Sequence, residues 1–98
     1  MISTRHIVLS LIFAFFAANS SAQLNVIISG GLAAAYEDLL PEFVSANEIE
    51  VETGRGGSVG DSPRAIPNQL ARGVEADVVI LARQGLEEIR KQGRIVEG

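Results

Sequence analysis

The chain has 98 residues, 47% of them hydrophobic, with no cysteine, a single histidine and a formal charge of −4. Disulfides are impossible and Cys/His zinc sites are excluded. Twelve Asp+Glu against eight Lys+Arg also argue against a nucleic-acid partner, because neutralising phosphates takes clustered basic residues.

Met1 to His6 carries Arg5, and "IVLSLIFAFFAA" (Ile7 to Ala18) is an uncharged apolar run. Ser20 and Ala22 then place small residues before Gln23. This three-part layout predicts a secretory signal peptide over residues 1–22, removed on export to the periplasm. The run is short of the roughly 20 apolar residues of a membrane span; an uncleaved anchor is the competing reading. No cysteine follows the run, so a lipid anchor is not expected. Residues 23–98 keep seven basic against twelve acidic side chains and no histidine, since His6 lies in the leader. They therefore lack the usual general base.

Beyond the leader, strand and helix signals alternate. "LNVIIS" (Leu24 to Ser29) is nearly continuously apolar, as in a strand buried on both faces. In "SGGLAAAYEDLLPEFVSAN", Leu32, Ala35, Tyr36, Leu39, Leu40, Phe43 and Val44 recur at helical spacing. Pro41 is expected to end or kink that helix, with Phe43 and Val44 still packed. "IEVET" (Ile49 to Thr53) alternates apolar and acidic residues, the pattern of an edge strand with one wet face. "RAIPNQLARG" predicts a short helix with Ile66 and Leu70 inward and Gly73 ending it. "ADVVILA" (Ala76 to Ala82) is the most apolar strand signal. "QGLEEIRKQG" predicts a polar helix with Leu86 and Ile89 facing the core and Gly93 stopping it. "RIV" is expected to begin a fourth extended segment.

The order β-α-β-α-β-α with short connections predicts an α/β fold built on a parallel sheet, with right-handed crossovers. Residues 23–98 are few for such a sheet with both faces covered. They are expected to be the front part of something larger.

Ligands of such sheets gather beyond the strand carboxyl ends, which here are Ser29-Gly30-Gly31, Gly54 to Ser62, and Ala82-Arg83. Gly56-Gly57-Ser58-Val59-Gly60 matches the G-x-S-x-G of a serine hydrolase elbow, and a secreted esterase with Ser58 as nucleophile is the alternative function. That nucleophile needs a base, and the elbow passes directly from strand to helix, whereas Gly60-Asp61-Ser62-Pro63 intervenes here. A Walker loop requires Gly-Lys-Ser/Thr, and no lysine precedes Lys91. The dinucleotide fingerprint, counted from Gly54, finds Val59 where its third glycine belongs. A third reading needs no base: glycines admit a ligand close to the backbone, and N–H groups at helix starts attract anions. Ser29, Gly30 and Gly31, then Gly57 and Ser58, then the Ala82 amide would present small neutral donors to one place. Ordinary turns, with Ser29 as a helix N-cap, are the alternative for each loop alone.

"LNVIISGGLAAAYEDLLPEF", "GRGGSVGDSP" and "ADVVILARQGLEEIRKQGRIV" together resemble the opening lobe of a molybdate-binding-type periplasmic solute-binding protein. Such proteins are the receptors of ABC importers, with the type II periplasmic-binding-protein fold. The resemblance implies a three-layer α/β lobe, of which residues 23–98 would be the N-terminal part without its second lobe. It implies a monomeric, non-enzymatic receptor without cofactor or metal. The receptor would hold a small anion, either a molybdate-like oxyanion or an organic acid, and pass it to a membrane permease. In that family a serine after the first strand, a serine in the glycine-rich loop and an alanine amide after the third strand contact the anion. These fall on Ser29, Ser58 and Ala82. Gly30 and Gly31 stand where the family shows Ala and Ser, Arg83 stands where it shows Asp, and Gly60 to Pro67 is longer than usual. These departures point to a divergent branch. Arg55 and Arg83 would either suit an organic acid or be solvated surface residues.

Overall fold

A computed structural model describes residues 22–96; the expected signal peptide lies outside them except for its last residue. Three parallel strands, β1 (Gln23–Ile28), β2 (Glu50–Arg55) and β3 (Val78–Ile80), form one sheet in the order β2-β1-β3. The central strand β1 is the best covered, and Val26, Ile27 and Ile28 are all buried. Its register aligns Ile27 with Gly54 and Val79, and Ile28 with Arg55 and Ile80. β2 is an edge strand, as its alternation predicts: Glu50 and Glu52 are exposed while Val51 and Thr53 are partly covered.

Helix α1 (Ala33–Asn47) follows β1 through a 3-10 turn at Gly30–Leu32, α2 (Ile66–Ala71) follows β2, and α3 (Arg83–Lys91) follows β3. Alternating side chains divide the sheet into two faces. On one face Ile27, Ile66, Leu70 and Ile89 form the core, with Val79, Leu81, Ala76 and Ile95 packed around it. On the other, Leu24, Val26, Val51, Val78 and Ile80 look toward α1. The result is an α/β lobe of three layers, with α1 on one side and α2 and α3 on the other.

Several expectations need correction. Of the two outcomes expected at Pro41, an end to the helix is not realised: Pro41 lies inside α1, which continues to Asn47. Exposure is the reason: a carbonyl deprived of its intrahelical donor can take water instead. Phe43 is 42% exposed and Leu39 67%, so the apolar face of α1 is only partly packed. Together with Val78 and Ile80 it borders an open apolar cleft of about 260 Å³. The third strand covers Val78–Ile80 rather than 76–82, and Val78 is 42% exposed because β3 is paired with β1 alone. Arg94 to Val96 form no strand. Ile95 instead packs on the core, and Val96 is 93% exposed.

The two helix stops behave as expected. Gly73 and Gly93 both have positive φ, 95° and 70°, the left-handed conformation that glycine enters without steric cost. Among the described residues, no helix is long and apolar enough to cross a membrane.

Candidate functional site

β1 leads into α1 on one face of the sheet, whereas its neighbour β3 leads into α3 on the other. Adjacent strands whose connections diverge in this way open a crevice at their carboxyl ends. The two glycine- and serine-bearing loops, after β1 and β2, meet the short Leu81-Ala82 connection after β3 at that rim. The Ser29 N–H donates to the Ile80 carbonyl at 2.9 Å, which ties the end of β1 to β3, and the Gly56 N–H donates to Ile28 at 3.4 Å. The Ala82 N–H donates to Ser58 Oγ at 2.9 Å, joining the loop after β2 to the loop after β3. Ser29, Ser58 and Ala82 therefore lie on one edge.

Each residue has a local cause for its position. Ser29 is extended, at φ −79° and ψ 159°, and precedes the 3-10 turn; its side chain makes no capping bond. The N-cap alternative for its hydroxyl is thus not realised. Gly30 and Gly31 are exposed, have no positive φ, and would meet nothing within 4 Å if a Cβ were added. Neither the backbone nor the packing demands glycine there. Ala82 is the N-cap residue of α3, and its carbonyl accepts from Gly85 and Leu86 at 3.0 and 3.2 Å. Gly85 lets α3 approach the serine loop: a Cβ there would stand 2.1 Å from the Ser58 carbonyl oxygen.

The glycine-rich loop is braced from α2, by residues that the sequence reading passed over. Asn68 Nδ2 donates to the carbonyls of Gly60 and Ser62 at 3.0 and 2.8 Å. Gln69 Nε2 donates to those of Arg55 and Arg64 at 2.9 and 2.7 Å. Arg72 reaches the Pro63 carbonyl, and the Ile66 N–H donates to Gly57 at 2.7 Å. One signal was available: Gln69 is a polar residue on the buried face of a very short helix, three positions after Ile66.

The chemistry is that of neutral donors. Ser58 Oγ accepts a backbone N–H, and Ser29, Gly30, Gly31 and Gly57 stand at the same rim. Arg55 is ion-paired with Glu37 of α1, both side chains about half exposed, so its charge is spent on the surface of α1. Arg83 opens α3 beside Ala82 and is exposed. The esterase alternative is disfavoured: residues 56–65 separate β2 from α2, and Ser58 Oγ is engaged by an amide rather than a base. Among the described residues, no cluster of three His, Cys, Asp or Glu is placed to hold a metal ion.

Residues 24–98 match the family described as bacterial extracellular solute-binding protein. An aconitate isomerase from a Pseudomonas species is 32% identical over 81 residues, covering 83% of this chain. The match takes in 31% of that relative's length, so the chain spans about a third of it.

Proposed function

The chain belongs to the bacterial extracellular solute-binding proteins, and on that premise we propose that its strand carboxyl edge holds a small anion for import. The ligand sits against the Ser29 and Ser58 hydroxyls and the Gly30, Gly31 and Gly57 amides. Ala82 acts through Ser58, since its N–H is already donated to that oxygen. The observation that carries this reading is the Ala82–Ser58 hydrogen bond of 2.9 Å. It consumes an acceptor site on Ser58 and leaves the hydroxyl proton to point at a ligand.

Within the anions, an organic acid is favoured over a tetrahedral oxyanion such as molybdate. The support is the similarity to a protein named for aconitate. In this reading the protein is a monomeric periplasmic receptor, and the bound acid passes to the membrane permease of an ABC importer.

The test is a titration of the protein with aconitate, citrate and molybdate, followed by amide NMR, with glucose as a neutral control. Saturable shifts at Ser29, Ser58 and Ala82 are expected with a carboxylate. Absence of any such shift with all three anions would end the proposal. Turnover is a second reading, favoured by the name of the relative. It predicts conversion of aconitate to its isomer, measurable by chromatography and abolished in Ser58→Ala. Binding without conversion is the outcome expected here.

A further inference from the structure

Gln69 is the one buried polar side chain among the described residues, 9% exposed. Its Nε2 donates both hydrogens, one to the carbonyl of Arg55 and one to that of Arg64. These two carbonyls stand on either side of the glycine-rich loop, one closing β2 and the other approaching α2. Ser58 lies between them. The fit is close: a Cβ on Gly56 would stand 2.6 Å from Gln69 Nε2 and 2.1 Å from the Arg64 oxygen. Glycine at 56 thus clears the space that the amide needs to bridge the loop mouth. A carboxylate at 69 has no hydrogens to donate, and a serine or threonine hydroxyl has one. The neutral amide of Gln69 satisfies both carbonyls without placing a charge in the core beside Ile66 and Leu70.

We propose that Gln69 is a positioning residue for Ser58: by closing the loop mouth it holds the Ser58 hydroxyl on the Ala82 amide. This deepens the anion-binding reading and rests on it for its functional consequence. The geometric coupling of Gln69 to Ala82 stands apart from any ligand. Gln69 itself does not touch the anion. Its effect passes through a loop also fastened by Asn68 at Gly60 and Ser62, by Arg72 at Pro63 and by the Ile66–Gly57 hydrogen bond; the side chain that joins Arg55 to Arg64 is that of Gln69.

The experiment is amide hydrogen exchange on the full chain, comparing Gln69→Met, Ser58→Ala and the double variant. Methionine keeps the length of the buried stem and removes both donors. Expected is a loss of about tenfold or more in protection at Ala82 in Gln69→Met, beyond any loss at Ile27 and Ile28 in β1. The double variant should lose no more at Ala82 than Ser58→Ala alone. Unchanged protection at Ala82, or a fall only in step with β1, overturns the proposal.

A second measurement needs no variant. In the unsubstituted chain both Nε2 protons of Gln69 should exchange far more slowly than those of exposed Gln84, and equal rates overturn the proposal. Aconitate titration adds the functional arm, with an affinity about tenfold weaker in Gln69→Met. If no anion perturbs Ser58 in the unsubstituted chain while Ala82 protection still depends on Gln69, the binding reading falls and the clamp is upheld.

Discussion

Replacing Gly85 with alanine sets two effects of known size against each other. Gly85 is the third residue of α3, and helix propensity alone favours alanine there by about 0.8–1.0 kcal/mol. The structure opposes that gain. The added Cβ would lie 2.1 Å from the Ser58 carbonyl oxygen, 3.0 Å from the Ser58 carbonyl carbon and 2.6 Å from Leu81 Cδ1. The leucine methyl can turn aside, but the Ser58 backbone belongs to a loop fastened by Asn68, Gln69 and the Ile66–Gly57 bond. Overpacking of this kind costs about 1–3 kcal/mol, and an overlap with backbone falls in the upper half of that range. The net expectation is a destabilisation of about 1–2 kcal/mol once the propensity gain of Ala is subtracted. Urea unfolding followed by circular dichroism measures it, and the Ala82 amide shift reports whether Ser58 has moved. A Gly85→Ala variant that is as stable as the parent or more so, with an unshifted Ala82 amide, would show that α3 does not abut the serine loop.

Ile89 is fully buried in the core, so Ile89→Ala should cost about 2–5 kcal/mol, read from the same urea transitions. Gly30→Ala and Gly31→Ala meet open space and should leave stability within about 0.5 kcal/mol of the parent, as surface substitutions do. The same changes should weaken the aconitate titration, a separation of folding from binding. Glu37→Gln removes the partner of Arg55 from a pair whose side chains are about half exposed. The expected loss is under about 1 kcal/mol, and it should vanish in thermal melts at high salt, where screening shortens to about 3 Å at 1 M.

Strand β1 and helix α3 were legible because their patterns have one reading each. A continuous apolar run such as Val26 to Ile28 has to be covered on both sides, and Leu86 and Ile89, three apart in a mostly charged segment, mark the one face that can turn inward. Phe43 was expected to be packed and is 42% exposed, and Leu39 and Val78, also in apolar patterns, are exposed for the same reason. Apolar character shows what a side chain would gain by burial, but not which neighbour is there to bury it. β3 has a neighbour on one side only, so Val78 keeps a substantial exposed surface. The rim was legible in part: alternation of strands and helices placed Ser29, Ser58 and Ala82 at one edge. The internal use of the Ala82 N–H was not, because a backbone donor carries no mark of its partner. Gln69 went unread for the opposite reason. Its polarity was visible, but the two carbonyls it serves belong to residues 5 and 14 positions away.

Accepting the Ala82 N–H changes what Ser58 can offer. Hydrogen bonds in series polarise one another by about 10–30% each, so the outward hydroxyl is a somewhat better donor and has fewer orientations open to it. The arrangement exchanges one direct amide contact for a single aimed hydroxyl. Hydrogen bonds to a charged group contribute about 1.5–3 kcal/mol each, so the Ser29 and Ser58 hydroxyls supply about 3–6 kcal/mol gross. Ordering a ligand costs an estimated 4–15 kcal/mol. Even with help from the Gly30, Gly31 and Gly57 amides, the 98-residue chain should bind aconitate no more tightly than about the millimolar range, near 4 kcal/mol. The titration therefore belongs at tens of millimolar ligand. Nanomolar binding by this chain would contradict an account built on neutral donors. If it were abolished by Arg83→Gln and untouched by Ser58→Ala, the anion would be held by a cation at the start of α3 instead of by the serine loop.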